Sequence, residues 1–123
     1  MHEASLAQGL LKTALEAVES YNKEHPDAQA GHITSIKVGL GLLSCVEVST
    51  FSGCFELLCE GTKAEGAELV VEREPLSCDC RDCKASFMLT ERTFRCPACQ
   101  SVNLIPHGGH GLTLLSLKVD QKD

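Results

Sequence analysis

The sequence predicts an α+β fold, in which a small mixed sheet with two helices is interrupted by a cysteine-rich module. Three observations predict it. Apolar residues recur with a helical period in two segments, apolar and polar residues alternate in three others, and two Cys-x-x-Cys pairs lie close together in the second half. The last alternating segment needs a sheet to join, and the first half of the chain offers one.

The first helix is predicted from about residue 4 to residue 24. Leu10, Ala14 and Val18 recur at four-residue steps and would form one apolar face. Pro26 disfavours helical geometry at the residue before it, so the helix should end near His25.

A strand and a second helix are predicted next. In residues 33–41 the side chains of Ile36 and Val38 would face one side of a half-buried strand. The second helix spans about residues 49–60, with Phe51 and Phe55 on one face.

Two more strands complete the predicted sheet. Residues 67–73 alternate, and the last stretch places Leu115, Leu117 and Val119 on one face. The predicted domains are therefore residues 1–75 plus 110–123, forming the α+β part, and residues 76–109, forming the cysteine-rich part.

Composition excludes several classes of protein. The 123-residue chain has a net charge of −6, which repels phosphate backbones, so nucleic acid is not an expected partner. No apolar run approaches the length of a membrane span, and the acidic N-terminal segment does not resemble a signal peptide. We therefore expect a cytoplasmic protein in a reducing compartment, where cysteines bind metals more often than they form disulfides.

The strongest local signal is Cys80-Arg-Asp-Cys83, followed after 12 residues by Cys96-Pro-Ala-Cys99. Each pair can turn two sulfurs toward one point, and four thiolates suit tetrahedral Zn(II) in a closed, structural site. The pattern predicts a zinc-ribbon-like module, with a hairpin of residues 86–89 and 93–95 between the pairs. Iron at the four sulfurs stays an open alternative.

The remaining cysteines and two histidines have other predicted roles. Cys78 lies too near Cys80 to form the same turn and is left out of the site. The other cysteines are predicted to pack as small apolar side chains; they are Cys45, Cys54 and Cys59. His107 and His110 flank two glycines, and a flexible turn with solvated histidines is favoured over a weak metal contact.

The N-terminal Met1-His2-Glu3 is a second candidate metal site. Methionine is normally kept before a large residue, so the Met1 amine should adjoin His2. That amine, the His2 amide nitrogen and the imidazole can form fused chelate rings that suit nickel(II) or copper(II). A histidine at position 2 can also be an accident of sequence, and the residues alone leave both interpretations open.

The ordered set of motifs resembles the HypA/HybF family of nickel metallochaperones for hydrogenase maturation. The resemblance rests on Met1-His2-Glu3, on the four-cysteine module, and on the segments between them, which are GLLSCVE at 41–47, CFE at 54–56 and AEGAEL at 64–69. It covers essentially the whole chain.

The resemblance implies a carrier rather than an enzyme. It implies transported Ni(II) bound by His2 with Met1 and Glu3 close by, a further carboxylate near the nickel at Glu47, and structural Zn(II) on the four cysteines. It also implies work with a HypB-like maturation GTPase and the large subunit of [NiFe] hydrogenase, and in some relatives with urease maturation proteins. The expected assembly is a monomer or a weak homodimer.

Two other functions are weighed against the carrier. A zinc-ribbon adaptor that binds nucleic acid or a protein machine would use the basic residues of the ribbon, which are Arg81, Lys84, Arg92 and Arg95. The negative total charge and the 4% aromatic content argue against it. A thiol oxidoreductase would need a reactive thiolate in the metal-loaded protein.

Overall fold

A computed structural model of the chain describes residues 3–122. Those residues form two helices and six strands, which confirms the predicted α+β class. Neither of these helices combines the length and the apolar character needed to cross a bilayer. In chain order the elements are α1 (Glu3–Glu24), β1 (Ala30–Gly41), α2 (Val48–Cys59), β2 (Glu68–Glu74), β3 (Leu76–Cys80), β4 (Ser86–Leu89), β5 (Leu104–His107) and β6 (Leu112–Gln121).

The described residues group into two compact units. The first unit holds residues 3–38, 45–71 and 113–122, and the second holds residues 39–44 and 72–112. Residues 39–44 thus group with the cysteine-rich part of the chain. The predicted domain boundaries stay a prediction, because a grouping by contacts does not show which parts fold independently.

In the first unit, α1 packs against α2 through the stripes that the sequence predicts. Leu10, Ala14 and Val18 are buried on α1, and Phe51 and Phe55 are buried on α2. Burying such a side chain contributes about 1.5–3 kcal/mol for the larger residues, so these stripes are a main source of the unit's stability.

Side chains just before Pro26 fix the end of α1. The ring of His25 stacks on Tyr21, and its Nδ1 lies 2.9 Å from the Tyr21 carbonyl oxygen. Asn22 donates to the carbonyl of Ala30 at 3.1 Å and accepts from its N–H at 2.8 Å. These contacts connect the helix end to the first residue of β1.

The strands of the first unit belong to a sheet with the order β2-β1-β6. The N–H of Lys122 donates to the Gln29 carbonyl at 2.9 Å, and the Thr34 hydroxyl donates to the Lys118 carbonyl at 3.2 Å. Because the partner numbers fall as those of β1 rise, β1 and β6 are antiparallel.

The predicted C-terminal strand exists as β6, but its predicted apolar face is largely exposed. Leu115 and Val119 are 44% and 41% exposed, and Leu117 is half-buried. Among the strands of residues 3–122, β6 is an edge strand, with a sheet neighbour only on its β1 side. Alternation correctly predicted the strand, whereas burial depends on neighbours that the pattern does not reveal.

The second unit contains an antiparallel sheet with the order β4-β3-β5. Its small core consists of Leu42, Leu76 and Cys78, with Phe87 and Leu89 packed against them. A core of this size stabilises little on its own, so a sheet this small needs a further source of stability.

The predicted hairpin between the cysteine pairs is half wrong. Residues 86–89 form β4, but residues 93–95 form no strand. Strand β4 pairs instead with β3, in a register that places Leu89 opposite Leu76 and Ser86 opposite Asp79. Strand β3, which ends at the first cysteine of the first pair, therefore takes the place of the predicted return strand.

The glycines of the Pro-His-Gly-Gly-His-Gly segment pack closely against residues 41–44 within the second unit. The Leu43 N–H donates to the Gly109 carbonyl at 2.8 Å, and the Gly41 N–H donates to the Gly111 carbonyl at 3.0 Å. Gly109 has a φ of +90°, and a Cβ at Gly41 would lie 2.3 Å from the Gly109 oxygen. The segment is thus a packed connection, and glycine is required at both positions.

Candidate metal centre

The structure brings together the four cysteines that the sequence predicts as zinc ligands. The Sγ atoms of Cys80, Cys83, Cys96 and Cys99 all lie within 4.8 Å of one another. Two of the pairs are Cys80 with Cys99 at 3.6 Å and Cys83 with Cys96 at 3.5 Å. A tetrahedral zinc with Zn–S bonds of about 2.3 Å places its sulfurs about 3.8 Å apart, so the cluster has the size of a zinc site.

Both Cys-x-x-Cys turns are closed by the same kind of backbone hydrogen bond. The Lys84 N–H donates to the Cys80 carbonyl at 3.0 Å, and the Gln100 N–H donates to the Cys96 carbonyl at 2.8 Å. Lys84 and Gln100 have φ values of 65° and 66°, in the left-handed region. Each turn closes immediately after its second cysteine, and this directs both sulfurs of the pair to the same side.

The thiols differ in how readily they lose a proton. Hydrogen bonds from backbone N–H groups, that of Cys83 first, lower the pKa of Cys80 to about 7 against the effect of burial. The backbone N–H of Cys99 similarly lowers the pKa of Cys96. At Cys99 the N–H of Ser101 acts in the same direction, but burial and the neighbouring thiols raise the pKa to about 12.

The neighbouring thiols raise the pKa of Cys99 and of Cys83. Four thiolates at this separation repel one another, so the last proton is lost only when a cation supplies positive charge. A closed set of four sulfur donors that needs a cation fits Zn²⁺, which thiolates bind in structural sites.

A polar side chain connects the two cysteine turns. The Asp82 carboxylate, in the first turn, accepts hydrogen bonds from Ser101 and Asn103, which follow the second turn. The Arg81 N–H donates to the Asn103 carbonyl at 2.9 Å. These contacts hold the two halves of the cluster together without using the sulfurs.

Cys78, the nearest additional thiol, lies outside the cluster. It is 1% exposed in β3 and packs in the apolar core of the second unit. Burial raises the pKa of its thiol, followed by the charge of Asp79, so Cys78 stays protonated and behaves as a small apolar side chain.

His107 is paired with a carboxylate and is not a member of the four-cysteine group. Its Nε2 lies 2.8 Å from Asp79 Oδ2, while the Ser86 hydroxyl donates to Asp79 Oδ1 at 2.7 Å. These two contacts connect β5 and β4 to the central strand β3. His110 is exposed in the glycine-rich segment.

The three remaining cysteines meet the apolar prediction to different degrees. Cys59 is buried, Cys54 is half-buried and Cys45 is exposed. The prediction is correct for Cys59, whose thiol pKa is raised by burial, and wrong for Cys45, which precedes α2 on the surface.

Arg92 has a role that its position in a basic segment did not reveal. Its Nε donates to the Leu42 carbonyl at 3.1 Å and one terminal nitrogen donates to the Ser44 carbonyl at 2.6 Å. One of the four basic side chains assigned to the adaptor alternative therefore binds backbone within the second unit.

Of the predicted nickel ligands, Met1 and His2 lie outside the described residues, and Glu3 and Glu47 lie inside. Glu3 is the first residue of α1, and Glu47 immediately precedes α2. The Glu47 N–H donates to Glu3 Oε1 at 3.2 Å. Glu3, which follows His2, is thus hydrogen-bonded to Glu47, the other carboxylate residue that the resemblance implies.

The Glu47 side chain caps α2. Its carboxylate accepts from the N–H groups of Ser49 and Thr50 at 3.4 and 2.7 Å and from their hydroxyls at 2.7 and 2.8 Å. These hydrogen bonds, led by the Ser49 hydroxyl, lower the pKa of Glu47 to about 2. Capping by glutamate was not predicted, because shorter polar side chains are the usual N-caps.

The low pKa of Glu47 predicts an acid-sensitive helix start. Its ordinary pKa of 4.5 falls to about 2 in the fold. The stabilising contribution is therefore complete above about pH 4.5 and is lost as the pH falls toward 2. Between pH 5 and pH 3, we expect the stability of the first unit to fall more steeply in the native chain than in the E47Q variant. The stability is measured as the urea concentration at which half of the α2 amide signals are lost from NMR spectra. Glu56→Gln, on the same helix, is the control; equal slopes for native and E47Q would contradict the capping role.

The family model described as "Hydrogenase/urease nickel incorporation, metallochaperone, hypA" matches residues 1–119. The chain belongs to the HypA family. Family members are metallochaperones and maturation factors, so this protein is not an enzyme.

Individual HypA proteins match over the full length. The hydrogenase maturation factor HypA of Salmonella typhimurium is 34% identical over 124 residues, which cover 100% of this chain and 99% of the relative. That of Escherichia coli K12 is 35% identical over 123 residues, or 99% of this chain and 100% of the relative. The solution structure of the Ni metallochaperone HypA from Helicobacter pylori has a TM-score of 0.60 and 30% identity, with 97% of each chain covered.

Proposed function

We propose that this chain binds Ni(II) at its N-terminus and delivers it during maturation of [NiFe] hydrogenase, while a structural Zn(II) holds the second unit. The observation that carries the proposal is the match of residues 1–119 to a nickel-incorporation family, because it includes His2 and all four clustered cysteines.

The zinc would be held by Cys80, Cys83, Cys96 and Cys99. When bound, it supplies the positive charge that lets all four thiols ionise, and it leaves no open position for a reacting molecule. The second unit has only a small apolar core, so the role of this site is to stabilise the fold.

The nickel would be held by the Met1 amine, the His2 amide and imidazole nitrogens, and the nearby Glu3 carboxylate. Nitrogen donors at a chain end suit nickel(II), and an open site can release its ion. A delivery protein needs this contrast with the closed thiolate cage. The amine binds only when deprotonated, so nickel binding weakens in mild acid.

Membership of a family for hydrogenase/urease nickel incorporation supports a role beside the maturation machinery of these enzymes. We propose a HypB-like GTPase and the hydrogenase large subunit as its partners, with urease maturation proteins as further candidates, all in the cytoplasm. The adaptor alternative is disfavoured, because the chain carries a net charge of −6 and Arg92 is engaged with backbone carbonyls.

Replacing His2 with alanine (H2A) in the untagged, zinc-loaded chain tests the nickel site. We expect nickel affinity, measured by competitive titration against a chromophoric chelator, to fall about 100-fold, because the imidazole and its chelate ring are lost. The control is H32A, which removes an exposed imidazole 3.8 Å from Asp120. Equal nickel affinity of H2A and the native chain would rule out the N-terminal site.

A further inference from the structure

A groove in the first unit lies between α2 and the segment that leads into β2. Its volume is about 330 Å³. One wall is the face of α2 that carries Ser52, Phe55, Glu56 and Cys59, and the other wall is formed within residues 64–69. This volume is at the lower end of the range for protein pockets that bind ligands.

Two segments that carry the family resemblance meet at this groove. Residues 54–56 supply Phe55 and Glu56, and residues 64–69 supply most of the opposite wall. Neither segment contains a ligand of the proposed zinc site or of the proposed nickel site. The two metal sites therefore leave the groove without an assigned role.

Hydrogen bonds fix the connection between the two walls. The Thr62 N–H donates to the Cys59 carbonyl at 3.0 Å, and the Glu65 N–H donates to the Thr62 carbonyl at 3.1 Å. The Glu65 carboxylate in turn accepts from the Gly61 N–H at 3.1 Å. A groove whose walls are already held in place loses little conformational freedom when it binds, so this one is preorganised.

The lining combines apolar side chains with one carboxylate. Phe55 and Cys59 are 2% and 3% exposed, whereas Glu56 is exposed to solvent. Leu57, beside Glu56 on α2, is 69% exposed and adds apolar surface next to the groove. An apolar stem that ends in a positive charge, as in arginine or lysine, matches this combination.

The surroundings of the groove are acidic. Residues 56–69 contain four exposed carboxylates and one exposed ammonium group, which belong to Glu56, Glu60, Glu65, Glu68 and Lys63. In the second unit acidic and basic side chains are equal in number, so the net charge of −6 is carried by the first unit. Nucleic acids, anionic membranes and a second copy of this chain are all negatively charged and would be repelled.

We propose that this groove is a docking site for a basic segment of a partner protein. The stem of an arginine or lysine packs against Phe55 and Leu69, and its charged end forms a hydrogen-bonded ion pair with Glu56. An apolar residue of the same segment covers Leu57. The inference goes beyond the proposed function and does not rest on either metal site.

The first test uses short peptides of random sequence, displayed on phage and selected against the zinc-loaded native chain. We expect the selected peptides to carry an arginine or lysine beside an apolar residue. Selection of acidic peptides, or of none, would overturn the inference. The affinity of a selected peptide is then measured by fluorescence anisotropy for the native chain and its variants.

Charge reversal at the groove is compared with charge reversal elsewhere. We expect E56K to bind the selected peptide at least about tenfold more weakly than E19K. E19K makes the same change of net charge at an exposed position of α1. Equal affinities of the two variants would show attraction by overall charge only and would contradict a docking site at the groove.

The second test fills the groove without changing its charge. Ala67 is half-buried and lines the groove, so A67F should weaken peptide binding at least about tenfold. A17F, at an exposed position of α1, should bind like the native chain. Native affinity of A67F would overturn the inference.

The α2 amide signals in NMR spectra show whether A67F folds. If it does not, the native chain is titrated with the selected peptide while its amide signals are followed. The largest shifts should then fall in residues 52–59 and 64–69, which form the walls of the groove. Larger shifts in α1 or in the second unit would place the peptide elsewhere and would overturn the inference.

Discussion

Replacing Cys96 with serine is expected to remove zinc and to unfold the second unit. Cys96 is fully buried among the four clustered sulfurs. Binding of structural zinc is worth about 10–16 kcal/mol in small zinc domains, far more than the few apolar side chains of this unit can replace. We expect less than about one-tenth of a zinc ion per chain, measured by plasma mass spectrometry, and loss of dispersed amide signals from β3, β4 and β5.

Cys78 provides the matched control for this prediction. It is about as buried as Cys96 but packs with Leu42 and Leu76. C78A should retain one zinc ion and a folded sheet, with a stability loss of about 1 kcal/mol from the lost sulfur. A folded C96S with native zinc content, or a zinc-free C78A, would contradict the assignment of the ligands.

Replacing Gly41 with alanine should have the next largest effect. The added Cβ would lie 2.3 Å from the Gly109 carbonyl oxygen and 2.5 Å from its carbon. Both are backbone atoms that hydrogen bonds of the same segment hold in place. Because neither side can move away cheaply, we expect the second unit to lose about 3 kcal/mol of unfolding free energy.

The measurement is urea unfolding of the zinc-loaded chain, followed through amide NMR signals of the second unit. Gly53→Ala is the control, since a Cβ there meets nothing within 4 Å on helix α2. It should stabilise the first unit by up to about 1 kcal/mol, because alanine favours helix over glycine. A G41A variant as stable as the native chain would show that the observed backbone approach is wrong.

Much of the first unit could be predicted because its elements carry periodic patterns. The stripe of α1 and the alternation of β1 each repeat several times, and the structure places both elements within a few residues of the predicted bounds. Burial of β6 could not be predicted, since its position at the sheet edge depends on strand order.

Two strands of the second unit, β3 and β5, were not predicted, because some of their residues favour other interpretations. β3 alternates Leu76, Cys78 and Cys80 on its buried side, but two of those three residues are cysteines that also suggest metal binding. β5 contains Pro106, which normally argues against a strand. Proline is tolerated there because β5 is an edge strand of its sheet.

A candidate site could be predicted where the spacing of its residues along the chain determines how their side chains meet. The four-cysteine cluster follows from two Cys-x-x-Cys turns. The contact between Glu3 and Glu47 joins residues 44 positions apart, and nothing local in either segment indicates it. The same holds for Arg92, whose carbonyl partners lie about 50 positions earlier in the chain.

The central claim is that one chain holds zinc in a closed sulfur cage and nickel at an open N-terminus. The most direct measurement is the metal content of nickel-loaded protein before and after dialysis against a strong chelator, with the native N-terminus and with one alanine added before Met1. We expect both proteins to retain one zinc ion per chain, and only the native one to bind one nickel ion, which dialysis removes. Nickel bound equally by the extended chain, or displacing zinc from the cysteines, would contradict the claim.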